Sequence, residues 1–346
     1  MIRRRNWLAT DVKLSVLDLA PIRTNGSIAE TFAESVELAQ EAERLGFERV
    51  WYAEHHNMAT IASSATSLLI AHIAHHTERI RLGSGGVMLP NHSPLVIAEQ
   101  FGTLETLFPG RIDLGLGRAP GTDQLTFQAL RRDPRSSDAF PHDVLELQGF
   151  LCRESRIKGV HAYPGFGTNV ALYILGSSLF GAQLAAQLGL PYSFASHFAP
   201  DALHQAIRVY RETFQPSEQL SEAYVIAGVG VVAARTNAEA QAQFEAVRRD
   251  RVAKFLGRNR MAPGSTEAPF TDEEIDMLLD SPAGEQVLGM LKYTAVGTPE
   301  AVGAYLRDFA KSADADELIT VQSAITPAER LESLRLTAEG VGTVQV

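Results

Sequence analysis

Hydrophobic and polar positions along the chain change period repeatedly. Short apolar or β-branched runs suited to strands alternate with longer stretches whose apolar residues recur every three or four positions. Leu14 to Leu19 predicts a first strand, closed by Pro21. Ile28 to Leu45 follows as a helix, with Phe32, Val36, Ala39 and Ala42 near helical spacing and Gly46 as its stop. The scheme repeats with strands at Arg49 to Ala53, Ile80 to Leu89 and Ile112 to Gly117. Their helices are Ser63 to His76, Pro94 to Phe108 with proline in its first turn, and Asp138 to Leu151. In the second half, strands at Val170 to Leu175, Tyr192 to Ala195, Tyr224 to Ala233 and Glu317 to Val321 precede helices at Phe180 to Leu188, Asp201 to Phe214, Ala238 to Leu256 and Ala328 to Leu336.

Eight strand-then-helix units favour a closed parallel (β/α)8 barrel in the α/β class. A doubly wound open sheet is the rival, because strand order is not written in the pattern. Two stretches stand outside the repeat: Arg118 to Ser137, and Arg258 to Ala283 with Pro263, Gly264 and Pro269. Each follows a strand on the face where barrel sites lie, so each is a candidate insertion there. The second, at about 258–283, is a candidate lid, with packing on the outer helices as its alternative. The reading is therefore an extension over 1–12 and one barrel domain over 13–346.

Composition narrows the class. The 346 residues are 45% hydrophobic and 21% charged, ordinary for a globular enzyme. A net charge of −10 argues against a nucleic-acid surface, which needs clustered Lys and Arg. The one basic cluster, Arg3-Arg4-Arg5, is followed by no apolar run of signal-peptide type. No stretch approaches the ~18 apolar residues of a membrane span. Cys152 is the only cysteine, which excludes an intramolecular disulfide and suits the cytoplasm; within a helical pattern it reads as core filler.

Strand ends place the polar chemistry on one rim. Glu54-His55-His56-Asn57 ends the second strand, Gly85-Gly86 lies in the third, and Gly117-Arg118 ends the fourth. Gly176-Ser177-Ser178 joins the fifth strand to a helix, a setting where backbone N–H groups and hydroxyls cradle phosphate. The same serines also suit plain helix capping. Arg118 supplies a cation able to grip phosphate in bidentate fashion. Gly115-Leu116-Gly117 only superficially resembles a dinucleotide fingerprint, since Pro120 and Thr122-Asp123 stand where a helix is required. Successive strand residues face opposite ways, so His55 and His56 do not both ligate one metal easily. His72 and His76 have ligand-like spacing without the glutamate of a zincin, and no metal is expected. One strand-two imidazole facing the mouth suits proton transfer near neutrality.

Trp51 to Asn57, Arg81 to Pro94, Phe108 to Gly121, Leu175 to Ser178 and Leu190 to Pro200 together resemble the bacterial luciferase-like monooxygenase family. They are most similar to its single-chain group 1 oxidoreductases, well over Leu14 to Ala233 and loosely beyond. The resemblance implies a usually dimeric (β/α)8 barrel. It implies FMNH2 taken from a separate NAD(P)H:flavin reductase and O2 used through a C4a-hydroperoxyflavin to oxidise a small organic substrate. It also makes His55 the active-site histidine and Gly85-Gly86 a non-prolyl cis peptide under the flavin ring. Glu54, Arg118, Gly176, Ser177 and Ser178 complete the implied cofactor-binding set, with the serine register open by one residue. Luciferase has a cysteine where this chain has Gly117, so light emission is not implied. Two rivals stand beside this reading: deazaflavin-dependent hydride transfer on the same barrel, and a flavin-binding paralogue that turns nothing over.

Overall fold

The computed structural model describes residues 12–23, 26–119, 122–257, 260 and 268–342. The expected N-terminal extension, apart from Val12, and Pro120-Gly121 lie outside the described residues. All strand pairings are parallel. Strands β1 (Lys13–Asp18), β2 (Arg49–Tyr52), β3 (Arg81–Met88), β4 (Ile112–Gly117), β5 (Ala171–Gly176), β6 (Tyr192–Phe194) and β7 (Val225–Ala233) pair in succession. A ninth strand, β9 (Glu317–Gln322), bridges β7 to β1 and closes an eight-stranded barrel. The open-sheet rival is thereby excluded, and every expected strand has its counterpart in the barrel wall.

One strand was not expected. β8 (Thr294–Gly297) pairs only with the far end of β7, Gly230 to Ala233, outside the barrel wall. Four residues carry too little periodicity to be read as a strand. The helices before β9 were also missed: α9 (Asp272–Leu279), α10 (Pro282–Gly289) and α11 (Pro299–Ser312). α11 was legible, since Thr298 caps it, Pro299 opens it, and Val302, Leu306, Phe309 and Ala310 are buried on one face. Of the 258–283 insertion, residues 258, 259 and 261–267 lie outside the described residues; α9 and the start of α10 pack against α8 (Asn237–Leu256).

The remaining helices are α1 (Ile28–Arg44), α2 (Thr66–His75), α3 (Pro94–Leu107), α4 (Gln124–Ala129), α5 (Phe140–Leu151), α6 (Leu179–Leu188), α7 (Leu203–Thr213) and α12 (Pro327–Val341). Cys152 is the half-buried C-cap of α5. His72 and His76 are exposed on α2 and pack ring against ring at 4.7 Å. Among the described residues no helix is long and apolar enough to cross a membrane.

The two-residue period of the strands separates two cores. In β4, Ile112, Leu114 and Leu116 join the large cluster that faces the helices. Alternate residues point inward, and the barrel interior is layered. At its base Arg49 Nη1 lies 2.7 Å from Asp113 Oδ2, and its Nε lies 2.8 Å from Glu317 Oε1. Arg81 also pairs with Asp113, while Ser15 and Tyr224 donate hydrogen bonds to Glu317. Charges this deep persist only when mutually satisfied. Above them Leu17, Trp51, Tyr173, Ile226, Ile319 and Val321 form a small apolar plug. The mouth lies above the plug.

Candidate functional site

Side chains give way to glycine on the inner wall above the plug. A Cβ on Gly85 would stand 2.7 Å from Leu17 Cδ1 and 3.0 Å from Trp51 Cβ, and one on Gly115 would stand 2.6 Å from Leu175 Cδ1. A Cβ on Gly228 would meet the His197 ring at 2.2 Å. Gly85 and Gly115 leave the neighbouring strands β3 and β4 as bare backbone on one side of the mouth, while on β7 the His197 ring covers Gly228. The Gly85–Gly86 peptide is cis, as the resemblance implied, and the β3–β4 register shifts there, between Ser84 and Val87.

Glu54, just after β2, is buried and gathers donors from its own turn, from β3 and from the turn after β3. His56 Nε2 lies 2.9 Å and His92 Nε2 2.8 Å from its Oε1, and the Met88 N–H donates to Oε2 at 3.1 Å. Burial alone would raise the pKa of Glu54, but the bonds from His56 and His92 hold it below the usual carboxylate value. The three ligand atoms lie within 4.8 Å of one another, a spacing that also suits a metal ion. Here the carboxylate already accepts from both imidazoles and a backbone N–H, so Glu54 ties β2 to β3. His92 was missed as a site residue: it stands in the Arg81 to Pro94 run, and only the fold brings it to Glu54.

His55 and His56 lie beyond β2, where strand alternation no longer applies; His55 stands outside this cluster and makes no hydrogen bond to Glu54. Its backbone N–H donates to Ser63 O at 3.0 Å, and its Nδ1 is buried with no partner among the described residues. Burial lowers its pKa; Glu54 opposes that shift and His56 adds to it. The imidazole is therefore neutral at pH 7.

The second cluster sits at the ends of β4 and β5. Arg118 is exposed, and its guanidinium carbon lies 4.1 Å from the centroid of Phe180, in the first turn of α6. Ser178 occupies the N-cap of α6, but its side chain makes no capping bond, so plain capping does not account for it. Tyr192 Oη donates to Ser178 O at 3.0 Å and anchors the turn. Gly176, Ser177 and Ser178 thus present N–H groups and free hydroxyls beside a cation. Glu54, His55, Gly85 and Gly86 form one part of the rim, and Arg118, Gly176, Ser177 and Ser178 another.

A cavity of about 340 Å³ lies beside the mouth. Ile22 and Thr60, after β1 and β2, line it with Asp250 and Lys254 of α8 and Phe270. That volume falls in the range of small-molecule pockets.

A parallel barrel with a glycine-lined mouth, an unpaired buried imidazole and a cationic helix N-terminus on one rim defines a flavin-type oxidoreductase. The luciferase-like monooxygenase family model matches residues 12–316, and the chain belongs to that family. It is 47% identical over 330 residues, covering 95% of this chain and 96% of the other, to the uncharacterized protein YvbT of Bacillus subtilis. It is 45% identical to a luciferase-like monooxygenase of Escherichia coli, over 94% of this chain and 96% of the relative. Among solved structures, apo-MsnO8 superposes with a TM-score of 0.83 at 36% identity, covering 98% of this chain and all of the other.

Proposed function

We propose that the chain is an FMN-dependent monooxygenase that uses reduced FMN and O2 to oxidise a small organic substrate. A separate NAD(P)H:flavin reductase supplies the FMNH2, and the enzyme works as a cytoplasmic homodimer. The observation that carries the reading is the bare-backbone mouth beside the Arg118–Ser178 cradle: a flat ring and a phosphate, at the separation of two neighbouring strand ends.

The residues fit the cofactor. Gly85 and Gly115 have no room for a Cβ against Leu17, Trp51, Ser84 and Leu175, so β3 and β4 would offer a ring system bare backbone to rest on. Arg118 and the α6 N-terminus offer charge and N–H donors to a phosphate. When bound, reduced flavin supplies the electrons that activate O2 for transfer to the substrate. The chain's own groups do the rest. Gly85–Gly86 supports the ring, Gly176, Ser177, Ser178 and Arg118 hold the phosphate, and Glu54 holds β2 and β3 at fixed spacing beneath it. His55, neutral and unpaired at Nδ1, is placed to take or give one proton at that atom. The apolar plug below excludes water from the underside of the mouth.

A Bacillus subtilis relative, 37% identical over 66% of this chain and 70% of its own, is an N-acetyl-S-alkylcysteine monooxygenase, which supports oxygen transfer. The hydride-transfer alternative rests on fold likeness to an F420-dependent secondary alcohol dehydrogenase, with a TM-score of 0.68 at 16% identity. Stopped-flow mixing of the protein–FMNH2 complex with O2 separates the two. Rapid O2 uptake with FMNH2, and no binding of reduced F420, is the expected result. Oxidation no faster than that of free FMNH2, or preference for F420, would overturn the reading.

A further inference from the structure

His197 follows β6 and lies against Gly228 on β7 so closely that a Cβ there would meet its Nδ1 at 2.2 Å. Ser196 Oγ donates to Gly228 O at 2.5 Å and fixes this corner. The His197 Nδ1 is buried without a partner among the described residues. Burial and, next, the nearby Arg251 guanidinium hold the His197 pKa down at about 4, so the ring is a neutral hydrogen-bond donor at pH 7. Arg251 comes from α8, and among the described residues it has neither an ion pair nor a hydrogen bond. Its neighbour Asp250 acts on it only at a distance and is paired with Lys254 at 3.0 Å.

A partly desolvated arginine without a counter-charge is unfavourable unless a ligand supplies one. The planar guanidinium fork fits two carboxylate oxygens, and His197 offers a further donor beside it. Position then selects the ligand. In the closed strand order β7 lies four strands from β3 in either direction, directly across the barrel. His197 packs on Gly228 of that wall, across from the Gly85–Gly86 platform, and Arg251 of α8 lies near the same ring. The proposed phosphate cradle is spoken for by Arg118 at the ends of β4 and β5.

We infer that Arg251 and His197 form the recognition site for a carboxylate on the organic substrate, held across the mouth from the Gly85–Gly86 platform. The substrate class is thus a small organic acid, with its carboxylate on Arg251 and the position to be oxidised directed toward β3. The inference rests on the flavin-mouth reading above and adds the substrate's charge.

The test is equilibrium binding by calorimetry to the intact protein, with octanoate and octanamide as matched probes. Octanoate is expected to bind at least tenfold more tightly than octanamide. Arg251→Met should abolish that ratio, Arg251→Lys should retain part of it, and His197→Phe should reduce it severalfold. Because Arg251 has no partner to lose, Arg251→Met is expected to melt no lower than the parent. Equal binding of the two probes, or a ratio that survives Arg251→Met, would overturn the inference. So would an intact ratio with weakened FMN binding, which would assign the arginine to the flavin. FMN titration of the parent protein keeps the two readings apart. No FMN binding defeats the flavin reading, whereas normal FMN binding without carboxylate preference defeats this inference alone.

Discussion

Arg118 lies with its guanidinium carbon 4.1 Å from the ring centroid of Phe180, which places a fixed cation at the N-terminus of α6. Charge-assisted hydrogen bonds contribute about 1.5–3 kcal/mol each, so Arg118→Met should weaken FMN binding roughly 10- to 100-fold. Riboflavin, which lacks the phosphate, should bind parent and variant alike. Fluorescence titration with both ligands checks this; an equal loss for riboflavin would remove Arg118 from the phosphate site.

Gly85 tests the platform. A Cβ would stand 2.7 Å from Leu17 Cδ1 and 3.0 Å from Trp51 Cβ, inside contact distance of the apolar plug. Overpacking of this kind costs about 1–3 kcal/mol. Gly85→Ala is expected to lower the melting temperature and to weaken FMN binding more than tenfold. Gly117→Ala is the control, because the nearest atoms to its Cβ would be the flexible end of Met88, at 2.9 Å.

His197 makes stability depend on pH. Burial holds its pKa at about 4 in the folded protein, against an unfolded value of about 6.5. Between these values the unfolded chain binds a proton that the folded one refuses, so stability rises with pH over that window. The contribution is complete above about pH 6.5 and is lost as pH falls toward 4. His55, also lowered by burial, acts in the same direction. Urea denaturation at pH 7 and pH 5 should show a smaller loss for His197→Gln than for the parent. An identical pH dependence would mean the imidazole is not desolvated in solution.

Arg49 tests the base. It pairs with Asp113 and Glu317 in the buried layer beneath the plug. Breaking a buried pair from one side costs about 3–5 kcal/mol, so Arg49→Met should unfold at markedly lower denaturant. Its FMN affinity per folded molecule should be unchanged, since the plug separates this layer from the mouth. A change in FMN affinity at full folding would contradict that separation.

Much of the architecture was legible along the chain. Strand and helix periods are local properties, so all eight barrel strands and most helices could be read from spacing. Strand alternation does not account for the separate environments of His55 and His56, because β2 ends at Tyr52 and both lie in the turn beyond it. β8 was not legible, because four residues backed by one pairing partner carry no period of their own. The motif runs were legible too, and they sufficed to indicate the family.

Only the tertiary structure decided which distant residues meet. His92 reaches Glu54 because β2 and β3 are neighbours, and Phe180 meets Arg118 because β4 and β5 are. The same holds for the stretch from Gly83 to Gly121. Its sequence determined that glycines alternate with apolar residues, but barrel closure decided that Gly85 and Gly115 face inward and leave the mouth bare. Closure likewise set the β7 wall that His197 packs on across from Gly85–Gly86. A local period states which residues share a face. Only long-range strand pairing settles what that face looks upon.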